Sequence, residues 1–281
     1  MSSFQLDREK KIEQFFRRNG WLLVLATLSV AALLYFGIFW SMGLFDQGHY
    51  WAILLSGLFG HSFFVILMHD GAHKSLTRTK WDHVIMNVSA GLIILPVYTE
   101  LFKKYHLLHH AHTNTDKDPL WNGFKERLFN ERRVLYAILQ CIPFAFNFYV
   151  VLQSRDKTVK LNSPAAKPNI YLILLSLIVA GTVIYFARPN VWFVLGSFAV
   201  MTTLGAIRYW GEHMGTSNEK ESNTHWFPLG MGIGNHEVHH HQPGYSWLTL
   251  TIGLLFRKMD TNPLKSIKGI FFDRNFRHYK D

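Results

Sequence analysis

WLLVLATLSVAALLYFGIFWSM, residues 21–42, carries no Lys, Arg, Asp or Glu. A helix needs roughly 20 apolar residues to cross bilayer hydrocarbon, so this stretch by itself predicts a membrane protein. Working outward, three more windows lack all four charged types: 47–68, 169–187 and 189–207. They predict four transmembrane helices, and they account for a chain of 281 residues that is 49% apolar and 15% aromatic. A cleaved secretory signal is the rival reading of the first window. Its apolar core exceeds the roughly 15 residues of such signals and no small-residue cleavage site follows, so the helix is expected to be retained.

The charges orient the four spans. If both termini lie on one side, only Arg188 of the 29 Lys and Arg falls in a loop on the other. By the positive-inside rule, the termini and the long middle segment are expected to be cytoplasmic. The net charge of +10 is then mostly an orientation signal. Its scatter along the chain argues against nucleic-acid binding, although part of it could dock an acidic protein. FQLDREKKIEQFFRR, residues 4–18, reads as an interfacial amphipathic helix. The single cysteine, Cys141, allows no internal disulfide. With no repeat and one linker-like stretch (156–168), the chain reads as one domain over residues 1–281.

Sixteen histidines are distributed unevenly, and eight fall into three clusters. His69 and His73 stand in HDGAH, His106, His109 and His110 in HLLHH, and His236, His239 and His240 in HEVHH. Residues i and i+4 lie about 40° apart on a helix and i and i+3 about 60°, so each cluster presents its imidazoles on one face. Three such faces can converge on metal. His213, in RYWGEHMGT at the end of the fourth span, is a ninth candidate. His112 and His241 point away from their clusters, and His61 reads as a hydrogen-bonded histidine deeper in the bilayer. His49, His83 and His278 read as surface residues, and His225 is ambiguous. Arg208 is expected to snorkel to the interface.

A shared site requires all three clusters on one side of the bilayer. The apolar segments 84–98 and 134–152 then cannot cross singly and must be interfacial or re-entrant. The expected fold is all-α and membrane-integral, with four transmembrane helices under a cytoplasmic helical cap that holds a histidine-rich dimetal site.

GNHEVHHHQPG, residues 234–244, admits two spellings. His236, Glu237 and His240 give H-E-x-x-H, the zinc protease pattern with Glu237 as general base. His236, His239 and His240 give H-x-x-H-H. A catalytic zinc takes about three protein ligands, and eight or nine converging histidines are enough for two metals. Imidazole by itself does not separate iron from zinc or copper.

Taken in order, HDGAH, HLLHHAHTNTDKDP and NHEVHHHQP resemble the histidine boxes of the membrane fatty acid desaturase superfamily, over about residues 36–250. The resemblance implies two iron ions held by His69, His73, His106, His109, His110, His236, His239 and His240, with His213 as the extra ligand. It also implies dioxygen as co-substrate and a lipid or acyl substrate. The chain lacks the H-P-G-G haem motif, so electrons are expected from a separate donor such as ferredoxin or a b-type cytochrome. Asp70, Asp116, Asp118 and Glu237 are placed to accept the far N–H of ligating imidazoles. The expected reaction is desaturation of a fatty acyl chain. A hydroxylase or ketolase acting on a carotenoid, alkane or other lipid is the same-fold alternative: HDGAH is similar to the carotenoid ketolase branch, HHAHTNTDKDP to the acyl desaturases. A membrane zinc protease would leave the first two boxes without a purpose.

Overall fold

The computed structural model describes residues 3–113, 115, 118–121, 123–142, 168–216, 222–273 and 276. Helices make up the fold. Among the described residues no strand forms, and two isolated bridges join Thr224 to Asn235 and His225 to Thr261.

Four helices are long and apolar enough to span a membrane: α2 (Gly20–Asp46), α3 (Ala52–Ala72), and two further along the chain. Of the four, α3 is central, with 67% of its most apolar stretch buried against 11–28% for the others. Small residues permit this, because a Cβ on Gly57 would lie 3.0 Å from the Ser197 carbonyl and press on Val200. The helix widens into a π-helical turn over Phe64–His69, which resets the register as the first histidine box emerges. Both α3 and the fourth span run one to two turns further than the charge-free windows suggest. Their polar ends can stay helical because the buried side chains there find partners inside the protein.

After His73 the chain is turned back by Asp82. Its carboxylate accepts the backbone N–H of Leu76 (3.0 Å), Thr77 (2.8 Å) and Arg78 (3.3 Å), besides the Thr77 hydroxyl. The segment 84–98 forms a helical hairpin that folds back on itself. Its helix α4 (Trp81–Leu92) descends from the histidine-bearing end, and α5 (Tyr98–His112) climbs back to the second box. The turn between them holds Ile94 and Val97 at positive φ, a costly conformation for branched residues that surrounding packing must impose.

A buried network pins this hairpin. Glu100 accepts Asn87 (2.9 Å), Lys103 (2.6 Å) and the backbone N–H of Asn169 (2.8 Å), joining α4 and α5 to the start of the third span. Two short helices, α6 (Gly123–Glu131) and α7 (Arg133–Gln140), precede the last two spans, α8 (Ile170–Ala187) and α9 (Val191–His213). Helix α7 buries Tyr136 and Ala137 while exposing Val134, Leu135 and Ile138, as an interfacial helix would. Residues 143–152 and 156–167 lie outside the described residues.

The chain ends in α10 (His236–His241), α11 (Trp247–Leu254) and α12 (Pro263–Phe272). The N-terminal helix α1 (Ser3–Arg18), whose pattern suggests an interfacial helix, packs onto α11. Glu13 is buried and accepts Arg78 (2.6 Å), the Thr249 hydroxyl (2.9 Å) and the Ser246 N–H (3.3 Å), while Glu9 pairs with Arg257 (2.8 Å). Those acids clamp α1 onto α11.

Candidate metal centre

The three histidine boxes and the end of α9 meet at one place. Ring nitrogens of His69, His73, His106, His110 and His239 lie within 4.8 Å of one another, and so do those of His109, His213 and His240. His236 joins the second set with His213 and Glu212. The grouping cuts across the boxes: neighbouring His109 and His110 on α5, and His239 and His240 on α10, serve different sets. A turn of about 100° per residue aims adjacent side chains at two points several ångströms apart.

Within each set the Nε2 atoms face one another. His73 and His106 approach to 2.8 Å, and His110–His239, His213–His236 and His236–His240 to 3.1 Å. With metal–nitrogen bonds of about 2.0–2.1 Å, ligands at right angles sit about 2.9 Å apart, and tetrahedral ligands about 3.4 Å. The observed spacings are those at which imidazole nitrogens could share a metal ion.

Three of the opposite ring nitrogens have polar partners outside the cluster. His109 Nδ1 lies 2.8 and 2.9 Å from the two Asp118 oxygens, and His69 Nδ1 lies 3.1 Å from Asp70 Oδ1. The Thr113 hydroxyl donates to the His109 carbonyl (2.7 Å) and so is free to accept from His240 Nδ1 at 3.1 Å. Each contact places the proton on Nδ1 and aims the Nε2 lone pair into the cluster; Nε2 of His69 and of His109 is buried with no hydrogen-bond partner. Burial favours the neutral ring. It holds His106, His236, His239 and His240 well below the usual imidazole range and lowers His73 to about 3. Neutral imidazoles sharing buried, inward-facing nitrogens fit a pair of metal ions.

Asp70 also reaches across the site. Its second oxygen accepts the Trp247 backbone N–H at 2.6 Å, tying the first box to the helix that follows the third.

The fatty acid desaturase family model matches residues 48–252, a span that includes all nine histidines. The chain belongs to the fatty acid desaturase family. No curated protein and no solved structure matches it significantly. As a desaturase-family protein with four apolar spans, it is an integral membrane oxidoreductase whose substrates are lipids, with a histidine metal site.

Several residues of this desaturase-family chain sit differently from their sequence reading. Arg208 does not snorkel; its side chain is 13% exposed and donates to Glu212 Oε1 at 2.8 Å. Glu212, which the sequence reading passed over, lies 3.6 Å from His236 Nδ1. Its signal was present, as a carboxylate beside His213 at the end of an apolar span. Glu237 is buried in the first turn of α10, where a carboxylate suits the helix's positive end. His225 is fully buried, but it is in neither imidazole set. His61 packs its ring on Phe227 at 5.3 Å, and its Nε2 has no hydrogen-bond partner, so aromatic packing rather than hydrogen bonding at that nitrogen holds it. Asp116 and His278 lie outside the described residues.

Proposed function

We propose that the protein is an oxygen-dependent lipid desaturase whose nine histidines hold two iron ions. The observation that carries this reading is the pair of imidazole sets, each with Nε2 atoms turned inward at about 3 Å separations. His69, His73, His106, His110 and His239 hold one ion; His109, His213, His236 and His240 hold the other. Iron, once bound and supplied with dioxygen and electrons, provides an oxidant able to take hydrogen from an unactivated C–H bond. Asp70, Asp118 and Thr113 orient their imidazoles through Nδ1, and Glu212, held by Arg208, faces His236. Phe102 stacks on the His106 ring at 4.8 Å and meets Phe64 edge-on, an apolar wall that keeps water from one side of the site.

The distribution of Lys and Arg supports a cytoplasmic site and cytoplasmic termini. Electrons come from a separate protein such as ferredoxin or a b-type cytochrome. The chain is read as a single domain over residues 1–281.

Expression with a compatible reductase, followed by mass spectrometry of total lipid, tests the reading. Loss of two hydrogens from an acyl chain is expected. Gain of one oxygen would move the protein to the hydroxylases or ketolases, and purified protein with about one zinc and no iron per chain would overturn the di-iron reading.

A further inference from the structure

Lys125 is a buried cation, 2% exposed, in the first turn of α6. Its ammonium donates to the carbonyls of Pro119 (3.2 Å) and Leu120 (3.1 Å). Those two residues directly follow Asp118, which holds His109 Nδ1 with both oxygens and accepts the Leu120 N–H at 2.8 Å. The lysine thus fastens the turn that carries the acid behind His109.

The same turn reaches a second imidazole. The Leu120 carbonyl also accepts the Tyr209 hydroxyl at 3.3 Å, and the Tyr209 ring lies 5.1 Å from that of His213. His109 and His213 belong to one set, with His240. Trp121, Tyr209 and Phe129 of α6 lie in one buried cluster, so packing as well as hydrogen bonding fixes the turn.

An ammonium in this place is costly, because it gives up hydration and opposes the positive end of the helix. Burial pushes Lys125 down to about 8, and the Asp118 carboxylate opposes that fall, so the amine keeps its charge at neutral pH. Asp70, the acid beside His69 in the other set, instead has the carboxylates of Asp82 and Glu13 nearby. The two sets therefore differ in the charge near their supporting acids.

We propose that Lys125 is a positioning residue for one ion only: it fixes the Asp118–Trp121 turn and, through Asp118, raises the reduction potential of the ion in the His109 set. Positive charge nearby favours the lower oxidation state of a metal, and the partners of ligating imidazoles tune the centre they serve. The proposal rests on the di-iron reading and makes the two ions electrostatically unequal.

Full-length protein in nanodiscs, loaded with isotopically enriched iron and poised at a series of potentials, tests it by Mössbauer spectroscopy. His109→Ala, which depletes the ion in question, marks its signal. In Lys125→Met the potential of that ion is expected to shift down while the other ion keeps its parent value. Lys125→Arg retains the charge and returns the parent potential. Lys125→Gln keeps a donor for the carbonyls without the charge, and the same downward shift is expected in this milder variant. Unchanged potentials in both uncharged variants, or equal shifts of both ions, overturn the proposal and leave the di-iron reading standing. A parent protein that binds no iron overturns that reading and the proposal with it.

Discussion

Asp118 grips the Nδ1 of His109 with both carboxylate oxygens, at 2.8 and 2.9 Å, from nine residues further along the chain. One of the same oxygens accepts the Leu120 N–H at 2.8 Å, so the carboxylate is itself fixed before it orients the ring. Asp118→Asn is expected to weaken iron binding about 10–100-fold while leaving the protein in the membrane. Titration with a competing chelator measures the loss, and unchanged affinity would remove Asp118 from its supporting role.

The partition of histidines predicts unequal partners for neighbouring residues. His110→Ala and His239→Ala should deplete the same ion, and His109→Ala and His240→Ala the other, even though each pair mixes two boxes. Iron stoichiometry and Mössbauer spectra of the four variants distinguish this from a grouping by box. Identical spectra in His109→Ala and His110→Ala would contradict it.

Arg208 and Glu212 form a buried pair at 2.8 Å, with side chains 13% and 2% exposed. Removing the cation in Arg208→Met leaves a buried carboxylate uncompensated, a loss of about 3–5 kcal/mol. A lowered thermal midpoint in detergent is expected, with recovery in the double variant Arg208→Met, Glu212→Gln. A single variant as stable as the parent would show the pair to be dispensable.

Acid should destabilise the metal-free protein. Burial first, and charge on His109 second, lowers His73 to about 3, and burial does the same for His225. Unfolded histidines titrate near 6.5. As pH falls below that value the unfolded chain takes up protons that the folded one refuses. Stability present above about 6.5 is therefore lost progressively towards 3, by about 1.4 kcal/mol per pH unit for each such histidine. Thermal midpoints of the metal-free protein between pH 7.5 and 5 measure the slope, and a flat profile would contradict it.

The hairpin of α4 and α5 rests on a close approach. A Cβ on Gly91 would lie 2.7 Å from the Ser176 carbonyl and 2.6 Å from Val179 Cβ, about 9–14 Å into α8. Gly91→Val should force α4 from α8, cost about 1–3 kcal/mol and loosen the second box. The expected result is lower thermal stability together with reduced iron content. Full iron occupancy in this variant would show that the hairpin does not position α5.

Much of the protein was legible in its sequence because two of its signals are local. Charge-free runs mark the spans whatever surrounds them, and i, i+3 and i+4 spacing puts imidazoles on one helical face. The requirement that His69, His106 and His236 share one side of the bilayer then kept 84–98 from crossing. That argument left open whether the segment was interfacial or re-entrant. What only the structure shows is that Gly91 packs against α8, a contact between residues far apart in sequence.

Local pattern failed where long-range pairing overrides it. Arg208 reads as an interfacial cation until Glu212 is placed beside it, and the amphipathic pattern of α1 gives no sign that Glu9 and Glu13 find Arg257 and Arg78. Sequence determined that the chain spans a membrane and which imidazoles stand in groups. Only the tertiary structure decided which of those imidazoles share a centre, because adjacent residues on a helix diverge and the third dimension alone brings His110 to His239 and His236 to His213.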